Sequence, residues 1–165
     1  MQAIATRLIL ITLLLSLAAC GFQPRGAVPQ LDNLPGPLFI SGIDKYTPLH
    51  RELSRQLQAA GVSLSDSAGN AASLLRVRDH KQRRRVMSVD STNQAVEYEL
   101  EESLQFSVRH PSRGDIVADQ TVRVLRVLYR PSGEVLARER EEEQLREDMR
   151  RDLVGRMLTR IKAQG

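Results

Sequence analysis

The clearest pattern in the chain is an alternation over positions 96 to 109. Val96, Tyr98, Leu100, Leu104, Phe106 and Val108 hold even positions, and Glu97, Glu99, Glu101, Ser103, Gln105, Ser107 and Arg109 hold odd ones. A period of two reads as a strand with one buried and one wet face, the habit of antiparallel sheets. Only Glu102 breaks the pattern. The run His110-Pro111-Ser112-Arg113-Gly114-Asp115 predicts a turn, and Ile116 to Tyr129 a returning strand. Its inward side stays open, because Val122, Val124, Arg126 and Leu128 alternate with Arg123, Leu125, Val127 and Tyr129. Residues 74 to 90 begin as a strand, with Leu75 and Val77 opposite Arg76 and Arg78, and Met87 and Val89 share the parity of the apolar pair. The same parity would bury Lys81, Arg83 and Arg85. Buried arginine is almost always paired, so either a bulge shifts the phase or the strand runs past the covered core.

Two stretches carry helical spacing instead. Thr47 reads as an N-cap and Pro48 as the first helical residue; Leu49, Leu53, Leu57 and Ala60 then recur at helical intervals, and Gly61 is a stop. This predicts a helix over 48–60. Leu38 to Ile43 reads as a short first strand and Ser65 to Ser73 as a loop. After Pro131-Ser132-Gly133, Leu145, Met149, Leu153 and Met157 step by four, with Val154, Leu158 and Ile161 widening the stripe. Glu139 and Glu141 to Glu143 crowd its beginning, and Arg156, Arg160 and Lys162 its end, which complements the helix dipole. The order β-α-β-β-β-α predicts an α+β two-layer sandwich: a mostly antiparallel, mixed four-stranded sheet with two helices on one face and the other face polar. Glu97, Glu99 and Glu101 are expected to meet Arg76, Arg78 and Arg123 across that polar face, each pair contributing about 0.2–1 kcal/mol.

Composition narrows the function. A chain of 165 residues suits one domain, and 41% hydrophobic with 27% charged residues excludes wholesale disorder. The single cysteine, Cys20, excludes an intramolecular disulfide and a cysteine zinc framework. With no Trp, three Phe and three Tyr, little is left for stacking on bases. Basic residues number 24 against 20 acidic, a net +4, and only Lys45, Lys81 and Lys162 of them are lysine. Arginine suits bidentate pairing with phosphate or carboxylate, so the excess fits an anionic partner without naming one.

The first twenty residues set the compartment. Arg7 gives a positive start, and Leu8 to Leu17 is an apolar run too short to span a bilayer, which takes about 20 residues. Leu17-Ala18-Ala19-Cys20 follows directly, so the segment reads as a cleavable export signal. A cysteine placed right after two small residues resembles the lipobox of bacterial lipoproteins. That resemblance implies a signal peptide over 1–19, a diacylglycerol on Cys20 and an acylated new amino end; three acyl chains make the membrane anchor effectively permanent. Gly21, where aspartate favours inner-membrane retention, points to the outer membrane. Four prolines and three glycines between 21 and 37 predict a tether, leaving 38–165 as a single domain.

No catalytic constellation emerges: there is no GxSxG, no HExxH, no Gly-rich phosphate loop and no DxD pair. Asp79 and His80 are neighbours, but adjacent strand residues face opposite ways. The acidic run Glu139 to Glu143 reads as a solvated helix start rather than a metal site. No enzyme, metal or cofactor is therefore expected. The run Lys81-Gln82-Arg83-Arg84-Arg85 is the strongest candidate site. Export and anchoring argue against nucleic acid; the anions available at the inner leaflet of an outer membrane are phospholipids and lipopolysaccharide, and phosphate-rich lipid A suits clustered arginine. A merely solvated or ion-paired charge run is the alternative.

A family resemblance runs along the whole mature chain. Cys20-Gly21-Phe22-Gln23-Pro24-Arg25, the helix start Pro48-Leu49-His50-Arg51, the strand Ala95-Val96-Glu97-Tyr98-Glu99-Leu100 and a final Arg-rich amphipathic helix resemble, in order and spacing, the LptE (RlpB) family of lipopolysaccharide-assembly lipoproteins. The resemblance implies an outer-membrane lipoprotein on the periplasmic side that partners the large barrel LptD, plugs its lumen, aids its assembly and binds lipopolysaccharide. The basic residue opening the family's last helical region has Arg138 as its counterpart, whereas Ser91, Thr92 and Asn93 stand where the family carries another basic contact. The expected lipid-binding set is thus Lys81, Arg83, Arg84, Arg85 and Arg138. An envelope scaffold or trafficking lipoprotein without a lipid substrate is the alternative function.

Overall fold

The computed structural model describes residues 29–130 and 135–164, and in the last helix the side chains from Glu139 onward. The signal segment, Cys20, the Pro131-Ser132-Gly133 turn and the Arg138 side chain lie outside the described residues. The elements follow the predicted order: β1 (Leu38–Ser41), α1 (Pro48–Ala59), a short 3-10 turn (Ala68–Asn70), β2 (Ser73–Val89), β3 (Ala95–His110), β4 (Gly114–Tyr129) and α2 (Val135–Gln164). The sheet order is β1-β2-β3-β4, with β1 parallel to β2 and the other pairs antiparallel. This is the α+β sandwich expected, with α2 over β3 and β4 and α1 beside it.

Local chemistry sets the ends of α1. The Thr47 hydroxyl oxygen accepts from the His50 N–H at 3.2 Å, and Pro48 occupies the first turn, where no N–H is needed. At the other end Gly61 has φ +85°, its N–H donates to the Gln58 carbonyl, and Val62 N–H donates to Leu57. That is a Schellman closure, which accounts for the stop. Leu49, Leu53 and Leu57 are buried against the sheet layer, and the Gln56 amide donates to the Arg151 carbonyl of α2 at 2.9 Å, tying the helices together.

The core gathers Leu75 and Val77 from β2, Leu100, Leu104, Phe106 and Val108 from β3, and Val122, Val124 and Leu128 from β4. Met149, Leu153, Val154, Met157, Leu158 and Ile161 of α2 close it. The inward side of β4, open from sequence, is therefore the even one from Val122 to Leu128, whereas before the register shift opposite Val108 it is the odd Val117 that is buried. The expected tether joins the domain earlier than its prolines suggest: Leu31 and Leu34 are buried, and the Leu31 N–H donates to Ala60 at 3.1 Å.

The parity problem in β2 is resolved by both expected devices. Val77 faces Phe106 and Asp79 faces Gln105, so Arg78 is an extra residue, a bulge. Beyond it His80, Gln82 and Arg84 sit opposite Leu104, Glu102 and Leu100 on the helix side, and Lys81, Arg83 and Arg85 opposite Ser103, Glu101 and Glu99 on the open side. The strand also runs past the covered core, and every residue from Lys81 to Met87 is exposed. β1 accompanies only Ser73–Arg76, so from Val77 to Val89 the outer side of β2 has no strand neighbour among the described residues. Glu102, the residue out of pattern, is buried on the core side; its Oε1 is 2.7 Å from His80 Nε2 and accepts from Gln82 Nε2 at 3.2 Å.

Candidate functional site

The basic run is split by the pleat. Lys81, Arg83 and Arg85 project from the open face, and Arg84 projects toward α2. On the open face three rows lie in register at the far end of the sheet: Arg83 and Arg85 of β2, then Glu101 and Glu99 of β3, then Leu125 and Val127 of β4. Arg85 Nη2 meets Glu99 at 2.9 Å, and Lys81 pairs with Asp79. Glu101 turns away from Arg83 to Arg123 at 2.8 Å. Arg83 is consequently without a carboxylate partner among the described residues, an exposed cation on a strand that holds its backbone still. The expected pairing of Glu97 and Arg78 differs: Glu97 accepts from the Ser88 hydroxyl at 2.8 Å, and Arg78, displaced by the bulge, reaches Asp119 at 2.8 Å. Such exposed pairs contribute at most about 1 kcal/mol each, so they organise the face more than they stabilise it.

Beside these charges Leu125, Val127 and Tyr129 are 48%, 57% and 61% exposed. An apolar row beside a carboxylate row marks this face for contact rather than for bulk water alone.

Arg84 has a different setting. Its guanidinium lies 3.8 Å from the Tyr98 ring centroid, a cation–π stack, and its Nη1 is 3.4 Å from Glu142 Oε2. Glu142 also faces Arg130 Nη1 at 3.5 Å and Arg146 Nη2 at 2.8 Å. Arg138 stands one helical turn before Glu142 on α2. The structure thus brings Arg84 to the helix that carries Arg138 and separates it from Lys81, Arg83 and Arg85. Arg130 and Arg146 are residues the sequence did not single out, and Glu142, expected to be part of a solvated helix start, is instead half-buried among arginines. Arg146 and Glu142 had a readable signal in their i, i+4 spacing, and Arg130 had none.

The loop joining β2 to β3 is fixed by Asp90, whose carboxylate accepts from the Thr92 hydroxyl and N–H at 2.7 and 2.8 Å and from the Gln94 N–H at 2.9 Å. The Thr92 and Gln94 hydrogen bonds hold the Asp90 carboxyl below its usual range. On α1, burial pushes the Glu52 carboxyl up, but hydrogen bonds from Arg55 and Gln56 and the charges of Arg55 and Arg151 outweigh it and leave it lowered. Asp79 and His80 engage Lys81 and Glu102 respectively, on opposite faces, and form no dyad. No group of three or more His, Cys, Asp or Glu with metal-binding geometry occurs among the described residues.

Comparison with known proteins places this architecture. Residues 36–161 match the family model described as LptE, lipopolysaccharide-assembly. An LPS-assembly lipoprotein LptE of Pectobacterium atrosepticum is 30% identical over 160 residues, covering 91% of this chain and 85% of that one. One from Yersinia pestis is 31% identical over 160 residues, covering 91% and 76%. Among solved structures, rare lipoprotein B of Shewanella oneidensis aligns with a TM-score of 0.66 at 26% identity over 76% of this chain and 93% of its own. Lipoprotein B of Nitrosomonas europaea shares the fold, with a TM-score of 0.69 at 22% identity over 87% and 91%.

Proposed function

Because this chain belongs to the LptE lipopolysaccharide-assembly family, whose members are assembly lipoproteins and not enzymes, we propose that it partners and plugs an LptD-type outer-membrane barrel, aids its assembly and binds lipopolysaccharide on the way to the cell surface. Cys20 carries the lipid anchor, on the periplasmic side, and the segment after it lets the domain rise into the lumen. The observation that carries the reading is the open sheet face. A barrel lumen is polar and wet, and a rigid sheet presenting the pairs Arg85–Glu99 and Arg123–Glu101 beside an apolar row can dry against such a wall, which has to supply the ionic partners that Arg83 and Glu97 lack among the described residues. Of the basic residues proposed for lipopolysaccharide, Arg83 is open to a phosphate on this face and Arg84 on the helix side, with Arg138 nearby on α2.

The test is affinity purification of the full chain from detergent-extracted envelopes, with barrel and lipopolysaccharide quantified in the eluate. A stoichiometric barrel with bound lipopolysaccharide is the expected result, lost from the membrane fraction for Cys20→Ala. Recovery with a soluble or inner-membrane partner, and no barrel, would replace this reading with that of a scaffold or trafficking lipoprotein.

A further inference from the structure

Three arginines from three elements converge on one carboxylate at the start of α2. Arg84 comes from β2, Arg130 from the end of β4, and Arg146 from the helix itself. Their side chains are 36%, 23% and 19% exposed, against 61% or more for Arg85, Arg109 and Arg123. Glu142 is 16% exposed and supplies the only carboxylate that any of the three meets among the described residues. Exposed Glu139 and Glu143 bond none of them. Among the described residues the cluster therefore holds two positive charges in excess in a partly desolvated place. Its hydrogen bonding is unequal too. Arg146 binds Oε1 closely, at 2.8 and 3.2 Å, whereas Arg84 and Arg130 share Oε2 at the outer limit, 3.4 and 3.5 Å. A planar carboxylate has too little charge and too few acceptor directions for three guanidinium forks. The stack on Tyr98, whose hydroxyl is tied to the Ala95 carbonyl at 3.4 Å, keeps Arg84 turned toward the centre.

We propose that Arg84, Arg130 and Arg146 form a binding site for a phosphate monoester, and that Glu142 is its built-in competitor. A phosphate dianion brings two negative charges where Glu142 brings one, and offers three terminal oxygens in a tetrahedral spread. On binding it displaces Glu142, whose side chain sits at the helix surface and can swing to water. The phosphate is either free or lipid-borne; the lipid-borne case deepens the lipopolysaccharide reading above and rests on it.

The experiment uses the full chain in detergent, as wild type, Glu142→Gln, and Glu142→Gln with Arg146→Gln. Melting is followed in inorganic phosphate and in chloride at matched ionic strength. Glu142→Gln melts lower than wild type in chloride, because three guanidiniums lose their carboxylate, and regains about 5 °C in saturating phosphate. The double variant regains nothing. Binding is then measured to lipopolysaccharide and to the same material stripped of its lipid A phosphates. Glu142→Gln binds the phosphorylated form about tenfold more tightly than wild type does and shows no gain on the stripped form. If Glu142→Gln gains no more from phosphate than wild type, or the double variant keeps the gain, the site is overturned, and lipopolysaccharide binding by wild type would still leave the earlier reading standing. Phosphate rescue without discrimination between the two lipopolysaccharides keeps the site and overturns its lipid-borne source.

Discussion

Breaking the contact between Glu102 and His80 from its two ends should give unequal results. Glu102 is 1% exposed, whereas the His80 side chain is 25% exposed at the cleft beside the free side of β2. Replacing His80 with Ala removes the 2.7 Å contact and leaves the carboxylate with Gln82 alone, at 3.2 Å. Removing one partner of a buried pair costs about 3–5 kcal/mol, and the remaining Gln82 bond, which is charge-assisted, offsets part of that. We expect a loss of about 2–4 kcal/mol for His80→Ala, or roughly 4–16 °C in Tm for a chain of this length. Glu102→Leu takes the charge away from a place walled by Val124 across the β3–β4 ladder, and the released imidazole can reach water. Removing one partner is costly when the other stays buried and charged, but the His80 side chain is 25% exposed and can be solvated, so this variant should fall within about 1 kcal/mol of wild type. Urea denaturation followed by circular dichroism reads both. Equal losses, or a larger loss for Glu102→Leu, would refute the claim that desolvation of the carboxylate dominates.

Phe106→Ala, at a fully buried position of β3 opposite Val77 of β2, should cost about 3–5 kcal/mol in the same assay; a loss below 1 kcal/mol would mean the even side of β3 is not the core. Gly42 and Gly114 both have positive φ, +84° and +88°, but a Cβ at Gly42 would stand 2.0 Å from the Val77 carbonyl oxygen while Gly114 has open space. Gly114→Ala should therefore cost about 1–2 kcal/mol and Gly42→Ala clearly more, and equal melting temperatures would remove the steric argument. Because the folded Asp90 carboxyl is held low, its contribution is present above the ordinary aspartate value, about 3.9, and is lost as pH falls through the lower folded value. The Thr92 and Gln94 amide resonances should accordingly titrate with a midpoint below that value, and a midpoint at or above it would contradict the turn geometry.

What was legible in the sequence was what a single period can encode. β3 lies between two partners over its whole length, so each of its residues answers to one face or the other, and the alternation came through. β2 has a partner on one side only for most of its course, and its phase turns on Arg78, where no residue type announces a bulge. Glu102 looked like a lapse in pattern because its partner, His80, is 22 residues away and shares its face only once the bulge is counted. The same limit hid the Glu142 cluster. Arg84, Arg130 and Arg146 are each ordinary surface residues in their own segments, and only the closing of α2 over the sheet makes them neighbours. The expected export signal and lipobox, by contrast, are written in contiguous residues around Cys20 and need no folding to be read.

The unaccompanied side of β2 has a bearing on solubility. Past Arg76 the strand has no strand neighbour on this side among the described residues, and such an edge is the template on which chains stack edge to edge into fibres. A second copy laid antiparallel along it would bring Lys81, Arg83, Arg84 and Arg85 of each strand against their counterparts, and like charges in cross-strand positions repel. The cations thus guard this edge against pairing with a second copy, independently of any anion they bind. Reversing them to glutamate would keep the guard, while neutral β-branched residues would leave a long, flat, sticky edge.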